Sequence, residues 1–360
     1  MDTDLSPLLK SKLSGEKLPS LDGLRAIAVT IVILYHLGVP GVEGLHGVII
    51  FFVLSGFLIT WLLLKENQRN GDVSARNFYM RRVLRILPAF YVFWGVHLVF
   101  YSIFRGVPNI KEYLYALFYV TNYGMIMKGG EVAIGHTWSL SIEEQFYLVW
   151  PWIFIYFSKD LRKLTKVLVG LIIFSWAWRI LLYFQFHVSY LYLTAAFECR
   201  MDSMFTGSLM AVLLKRGRLN DMAQKLAVNS MSPLVTIALL ITSIYTGYIY
   251  KSLTWIVLLG TSFENTLIAI LILQLMLLGD RPVWRLLNTA PMRYCGNISY
   301  GMYLYHGIAA NVAEKLIHSS LMAVRVVSSI GANVAISTLS YQLVEKWFLR
   351  LKTRFNSKSL

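Results

Sequence analysis

The chain is 360 residues long, 56% of them hydrophobic and 15% charged, with a mean hydropathy of +0.57. That apolar share exceeds what a soluble domain needs to fill one core, so most of the chain is expected to face lipid or to be buried. The net charge of +15 would suit a nucleic acid, but Lys and Arg fall in blocks between apolar runs rather than along one soluble face; that excludes nucleic acid and assigns the charge to membrane topology.

The residues before Ala26 are polar and mixed in charge (Asp2, Asp4, Lys10, Lys12, Glu16, Lys17). The first apolar run is followed by a second one rather than by a small-residue cleavage site, so it is expected to stay as an anchor, not to be removed as a signal peptide. An α-helix needs about 20 apolar residues to cross the hydrocarbon. On that basis spans are expected near 26–40, 47–64, 86–104, 137–157, 167–186, 201–214, 234–250, 254–278, 297–317 and 324–343. The predicted fold is therefore all-α, a polytopic membrane protein of about ten transmembrane helices with both termini cytoplasmic. Residues 1–20 form a cytoplasmic segment, 21–348 one membrane domain, and 349–360 a basic cytoplasmic tail.

Basic blocks at 65–85, 159–166, 215–225, 281–293 and 346–358 all fall on the cytoplasmic side if ten segments cross. Counting 113–127 as an eleventh crossing would put 159–166 outside, so that run is expected to be re-entrant or interfacial. Cys199 and Cys295 lie far apart and form no metal-ligand spacing; both read as ordinary buried thiols, and no metal site is expected.

Titratable groups inside apolar runs are costly and therefore mark candidate function. Arg25 and His36 are eleven residues apart, which returns to nearly the same helix face about 16 Å further along the axis. An imidazole there can take a proton from an acceptor hydroxyl, and the guanidinium can hold a phosphate or orient a thioester. The plainer reading makes Arg25 a positive-inside anchor and His36 a satisfied group at a helix end before Gly38 and Pro40. In Arg81-Arg82-Val83-Leu84-Arg85, Arg82 and Arg85 share a face and suit the phosphates of a nucleotide-containing donor, although topology alone also accounts for such a block.

Around 135–147, Ser141 and Glu144 have the spacing of a helix capping box, which leaves Glu143 unexplained. His136 and Glu143 are expected to form a polar cluster at the outer mouth that positions the acceptor or shares a proton. Arg200 and Asp202 offer a charge pair, Gly207 and Ala211 a small-residue packing face, and Arg179 requires a partner that spacing does not identify. His306 is a second candidate cavity histidine; His46, His97, His187 and His318 have no supporting constellation. No GxSxG, P-loop or HExxH sequence is present, so the chemistry is expected to rest on histidine.

These residues together resemble the integral-membrane acyltransferase family 3, the O-acyltransferases that modify bacterial glycans and some antibiotics. The resemblance runs from about Leu21 to Phe348 and rests on six blocks in order: Leu21-Asp22-Gly23-Leu24-Arg25-Ala26 leading to His36; Phe51-Phe52-Val53-Leu54-Ser55-Gly56-Phe57-Leu58-Ile59; Arg82 to Pro88; His136-Thr137-Trp138-Ser139-Leu140 with Glu143 and Gln145-Phe146-Tyr147; Arg200-Met201-Asp202-Ser203; and Ser299-Tyr300 through His306. It implies a ten-helix membrane fold in the plasma membrane, a cytoplasmic acyl-CoA donor (acetyl-CoA by family default) and a glycan, lipid-linked glycan or other hydroxylated acceptor. It also implies catalytic importance for Arg25 and His36 and a functional role for Arg82, Arg85, Glu143 and His306; joined to the readings above, Glu143 is expected to take part in catalysis, Arg82 and Arg85 to bind the donor, and His136 and His306 to bind the acceptor. The chain departs from the family in two places: Ile49 stands where many members have a polar residue, and Glu345-Lys346-Trp347 stands in place of Glu-x-Pro. A fused esterase-like domain, present in some members, is not read here, so the protein is expected to act alone or to hand its product to another. The rivals are a transporter or flippase of glycan or lipid intermediates, and an accessory subunit of a polysaccharide machine.

Overall fold

The computed structural model describes Leu13 and residues 18–249 and 253–355, and among the described residues every regular element is helical. In chain order the helices are α1 (Pro19–His36), α2 (Gly44–Asn70), α3 (Ala75–Phe104), the short α4 (Ile110–Leu117) and α5 (Thr121–Lys128), α6 (Trp138–Phe157) and α7 (Leu161–Phe184). They continue with α8 (Tyr190–Ala195), α9 (Phe197–Lys215), α10 (Asn220–Val228), α11 (Ser232–Ile249), α12 (Leu253–Leu278), α13 (Ala290–Asn297), α14 (Ser299–Leu316) and α15 (Met322–Phe355).

A helix occupies each of the ten segments expected to span, but the helices are not equally apolar. Five of them, α2, α3, α7, α12 and α15, are long and apolar enough to cross a membrane on their own; α10 and α11, bent by 101° at their junction, make a sixth if the pair counts as one span. Helices α1, α6, α9 and α14 are 18 to 20 residues long and fall short because polar groups interrupt them: Asp22 and Arg25, Glu143 and Glu144, Arg200 and Asp202, His306 and Glu314. The less apolar helices thus carry candidate site residues, with Arg82 and Arg85 on α3 the exception.

The 113–127 run is two helices of eight residues each, α4 and α5. Each is about 12 Å long, too short to cross. Glu112 ties them down: its carboxylate accepts from Lys128 Nζ at 2.6 Å and from the Ala133 N–H at 2.6 Å. Helix α1 begins at Pro19 and stops at His36, earlier at both ends than expected, because the proline suits a first helical turn and Gly38 takes φ +75° just beyond the end.

Helices α2 and α12 are largely buried, whereas α3, α7 and α15 lie at the periphery. Helix α2 packs on α1, α6, α9 and α12 and is the hub of the bundle. Its closest neighbour is α9. A Cβ on Gly56 would fall inside contact distance of the Met204 carbonyl, and one on Gly207 would run into the backbone of Val53 and Phe57. Ser208 Oγ donates to the Gly56 carbonyl at 3.2 Å across the same seam, and Ala211 is fully buried. Small residues permit this approach, and attraction between close backbones then holds the pair in lipid. Gly207→Ala should lower stability by about 1–3 kcal/mol, because backbone cannot move aside as a side chain can. Gly95→Ala, where nothing lies within 4 Å, should be neutral or slightly stabilising. Thermal unfolding of both variants in detergent checks this, and equal midpoints would count against the seam.

Candidate active site

A cavity of about 690 Å³ opens among α1, α2, α3, α6, α13, α14 and α15. Both Val48 and Lys65 line it, so it follows seventeen residues of α2, about 26 Å of helix axis. That length is most of the thickness of a hydrocarbon layer.

One end of the cavity is basic. Arg25 comes from α1, Arg82 and Arg85 from successive turns of α3, Arg293 from α13 and Lys352 from α15. Arg25 Nη1 lies 3.2 Å from Asp22 Oδ1, one turn earlier on the same helix. The Arg82 guanidinium sits 5.7 Å and 5.6 Å from the ring centres of Phe78 and Tyr147, which hold it by their electron-rich faces, and its Nε has no protein partner. Arg81 is used differently: it forms an ion pair with Glu66 at 2.6 Å and donates to the Phe355 carbonyl at 2.8 Å, fastening the end of α15 to α2 and α3. Only two of the three clustered arginines therefore face the cavity.

Glu143 lines the same cavity, midway along it, and accepts a 2.7 Å hydrogen bond from Ser55 Oγ. This corrects the expected pairing with His136. His136 lies in a 3₁₀ turn before α6, seven residues and about 10 Å of rise away, and faces other histidines instead. The capping box is also absent: α6 starts at Trp138, and Ser141, inside the helix, accepts from the Thr121 N–H at 3.1 Å and donates to the Thr137 carbonyl at 3.3 Å. Glu144, freed from capping, faces the cavity.

Phe52, Ser139, Leu140 and Tyr303 line the cavity, while His36, His136 and His306 do not. The three histidines form a separate group. The rings of His36 and His306 are 4.5 Å apart and those of His306 and His136 4.8 Å apart. His36 Nδ1 lies 2.8 Å from the Val32 carbonyl, and His306 Nδ1 lies 2.7 Å from the Tyr303 carbonyl. A carbonyl can only accept, so in each ring Nδ1 is the donor, and in the neutral ring Nε2 keeps its lone pair. His36 is exposed at the end of α1, whereas His306 is buried. Among the described residues no three His, Cys, Asp or Glu side chains are arranged to hold a metal ion.

Arg179 has its partner across the α7–α9 interface. Its Nη1 is 2.8 Å from Asp202 Oδ2, with side chains 2% and 0% exposed, and it also donates to the Cys199 carbonyl at 2.6 Å and Ser262 Oγ at 3.0 Å. Arg200 does not take Asp202 as its hydrogen-bond partner, as the adjacent sequence positions suggested; its Nε donates to the Thr194 carbonyl at 3.0 Å. Cys199 is buried and Cys295 half-buried, both as free thiols. His97, given no role by the sequence, is 2.8 Å from the Tyr113 hydroxyl and packs on Phe93, which in turn meets the edge of His136.

The sequence reading missed Asp22, Ser55, Glu144, Arg293, Tyr303 and Lys352 as parts of the site. Asp22 had a signal, its three-residue spacing from Arg25. Arg293 and Lys352 had none, because they reach the cavity from helices more than 200 residues away in the chain.

A polytopic helical membrane protein with a single-ended basic cavity and a group of histidines beyond it is the class that fold and site define. The chain matches the family described as an acyltransferase domain over residues 18–342 and belongs to that family. It is 30% identical, over 93% of its own length and 56% of the relative's, to the peptidoglycan O-acetyltransferase OatA of Listeria monocytogenes. It is 31% identical, over 80% of its length and 48% of the relative's, to the putative peptidoglycan O-acetyltransferase YrhL of Bacillus subtilis. A putative O-acetyltransferase of Staphylococcus aureus is 27% identical over 92% of this chain and 57% of its own. The chain thus spans about half the length of these relatives. No solved structure matches it.

Proposed function

We propose that this chain is a membrane O-acetyltransferase that takes the acyl group of a cytoplasmic acyl-CoA and passes it to a hydroxyl of a glycan, of the peptidoglycan type named for its relatives. In this reading the ten helical segments cross the plasma membrane with both termini inside, and the basic end of the cavity faces the cytoplasm. The observation that carries it is the cavity itself, with cations from α1, α3, α13 and α15 at one end and the histidine group beyond the other.

Arg82, Arg85 and Arg25 would bind the donor's phosphates through charge-assisted hydrogen bonds. The axis of α1 carries the thioester about 16 Å from Arg25 toward His36. There Nε2 of His36 takes the proton of the acceptor hydroxyl, the acceptor oxygen attacks the acyl carbon, the C–S bond breaks, and the departing thiolate receives the proton. In the covalent variant Nε2 itself attacks, the C–S bond breaks and the thiolate leaves; the acceptor oxygen then attacks the acyl carbon, the N–C bond breaks to restore the neutral imidazole, and the hydroxyl proton passes to the thiolate. Glu143, hydrogen-bonded to Ser55 beside the arginines, orders the donor end, and His136 and His306 border the acceptor.

The test is release of CoA thiol from acetyl-CoA by purified protein in detergent, with and without a peptidoglycan fragment. Acceptor-stimulated release supports the proposal, and an acceptor-independent burst identifies the covalent route. No release across several donors and acceptors would hand the reading to a transporter. Arg85→Ala should raise KM for acetyl-CoA roughly ten- to hundredfold, the worth of a lost charge-assisted hydrogen bond, with little change in kcat. The same variant should be indifferent to acetyl-pantetheine, which lacks the nucleotide phosphates. Equal losses with both donors would remove Arg85 from the phosphate site.

A further inference from the structure

Tyr303 is a buried hydroxyl that the transfer steps above do not use, yet it meets the cavity and two of the three histidines. It lines the cavity on one side. On the other, its ring centre is 5.8 Å from that of His136 and 6.0 Å from that of His306. Its hydroxyl hydrogen-bonds the backbone carbonyl of His136 and lies 2.6 Å from Ser139 Oγ. Its own backbone carbonyl accepts from His306 Nδ1 at 2.7 Å.

Proton bookkeeping fixes the direction of this network. The His136 carbonyl can only accept, so the Tyr303 hydroxyl gives it its proton, and Ser139 must then donate to the Tyr303 oxygen. Tyr303 therefore has no proton left for a substrate in this arrangement. It holds His136 and His306 from opposite ends: its carbonyl fixes the tautomer and tilt of His306, and its hydroxyl fixes the turn that carries His136. The clasp joins the start of α6 to α14, and its ring stands between the cavity and two of the three histidines, His136 and His306.

We propose that Tyr303, locked by Ser139, is a positioning residue for acyl transfer: it orients His136 and His306 and shields these two rings from cavity water. This rests on the acyltransferase reading. Tyr303→Phe keeps the ring and the carbonyl bond to His306 but releases the His136 turn and Ser139. Misplacing a catalytic group by about 1 Å costs on the order of 10²-fold in rate.

The experiment measures transfer to a peptidoglycan fragment and acceptor-free hydrolysis of acetyl-CoA by the full chain in detergent, for wild type, Tyr303→Phe and Ser139→Ala, with thermal unfolding of each. The expected result for Tyr303→Phe is a fall in kcat for transfer of about 10²-fold, an unchanged KM for acetyl-CoA, and a larger ratio of hydrolysis to transfer. Ser139→Ala, which leaves the Tyr303–His136 bond in place, should show the same pattern at about a tenth of the size and serves as the readout if the tyrosine variant does not fold. A folded variant with wild-type kcat and hydrolysis ratio, or one with raised KM and unchanged kcat, overturns the proposal while leaving the acyltransferase reading intact. A wild type with no His36-dependent thiol release overturns both.

Discussion

His36→Ala is expected to release CoA thiol from acetyl-CoA at about a thousandth of the wild-type rate or less, the range over which a positioned base or nucleophile acts. In both His36 and His306 a backbone carbonyl fixes Nδ1 as the donor, leaving Nε2 of the neutral ring with a free lone pair. Of the two, His36 is exposed and can meet an acceptor arriving from outside the bundle, while His306 is buried behind it. The substitution removes an exposed side chain at a helix end, so it should cost little stability, and a thermal midpoint near wild type would attribute the loss to chemistry. His306→Ala should lose less activity and more stability, since it empties a buried position and removes a ring neighbour of His36. Thiol release by folded His36→Ala within tenfold of wild type would remove His36 from the chemical step.

The second large effect is on stability. Asp202→Ala should destabilise the protein by about 3–5 kcal/mol, because it leaves Arg179 charged and without a counter-ion at a site with no access to water. The two side chains are 2% and 0% exposed, and the remaining donors of Arg179 reach only neutral oxygens, on Cys199 and Ser262. Asp202→Asn keeps a polar acceptor and should cost less. The double variant Arg179→Met, Asp202→Leu removes both charges at similar volume and should recover most of the loss, as a pair replaced together does. Unfolding midpoints in detergent for these three proteins provide the measurement. A loss below about 1 kcal/mol for Asp202→Ala, or no recovery in the double variant, would show that the pair does not hold α7 to α9.

Much of the candidate site was legible because membrane burial makes polar residues conspicuous. Arg25, Arg82, Arg85 and Glu143 stand out against apolar surroundings, and all four line one cavity. The errors came where neighbours in sequence were taken for neighbours in space. His136 and Glu143 share a segment but lie about two turns apart, so Glu143 faces the cavity and His136 the other histidines. Arg200 and Asp202 are two positions apart on α9, about 200° around the helix, so their side chains diverge and Asp202 finds Arg179 on α7 instead. Ser141 has the residue type of a cap but sits inside the helix, because the preceding turn already winds α6 from Trp138.

By itself the sequence determined that the chain is helical and membrane-embedded, where its helices lie, and that arginines cluster near one set of helix ends. Those properties follow from hydropathy, charge and local hydrogen bonding, which act over one helix length. Only the tertiary structure decided which arginines face the cavity, that Arg293 and Lys352 join them, and that His36, His136 and His306 meet one another outside it. Those outcomes depend on how helices far apart in the chain rotate against one another. That rotation is set by contacts such as the glycine seam between α2 and α9, where one methyl group decides how closely two backbones approach.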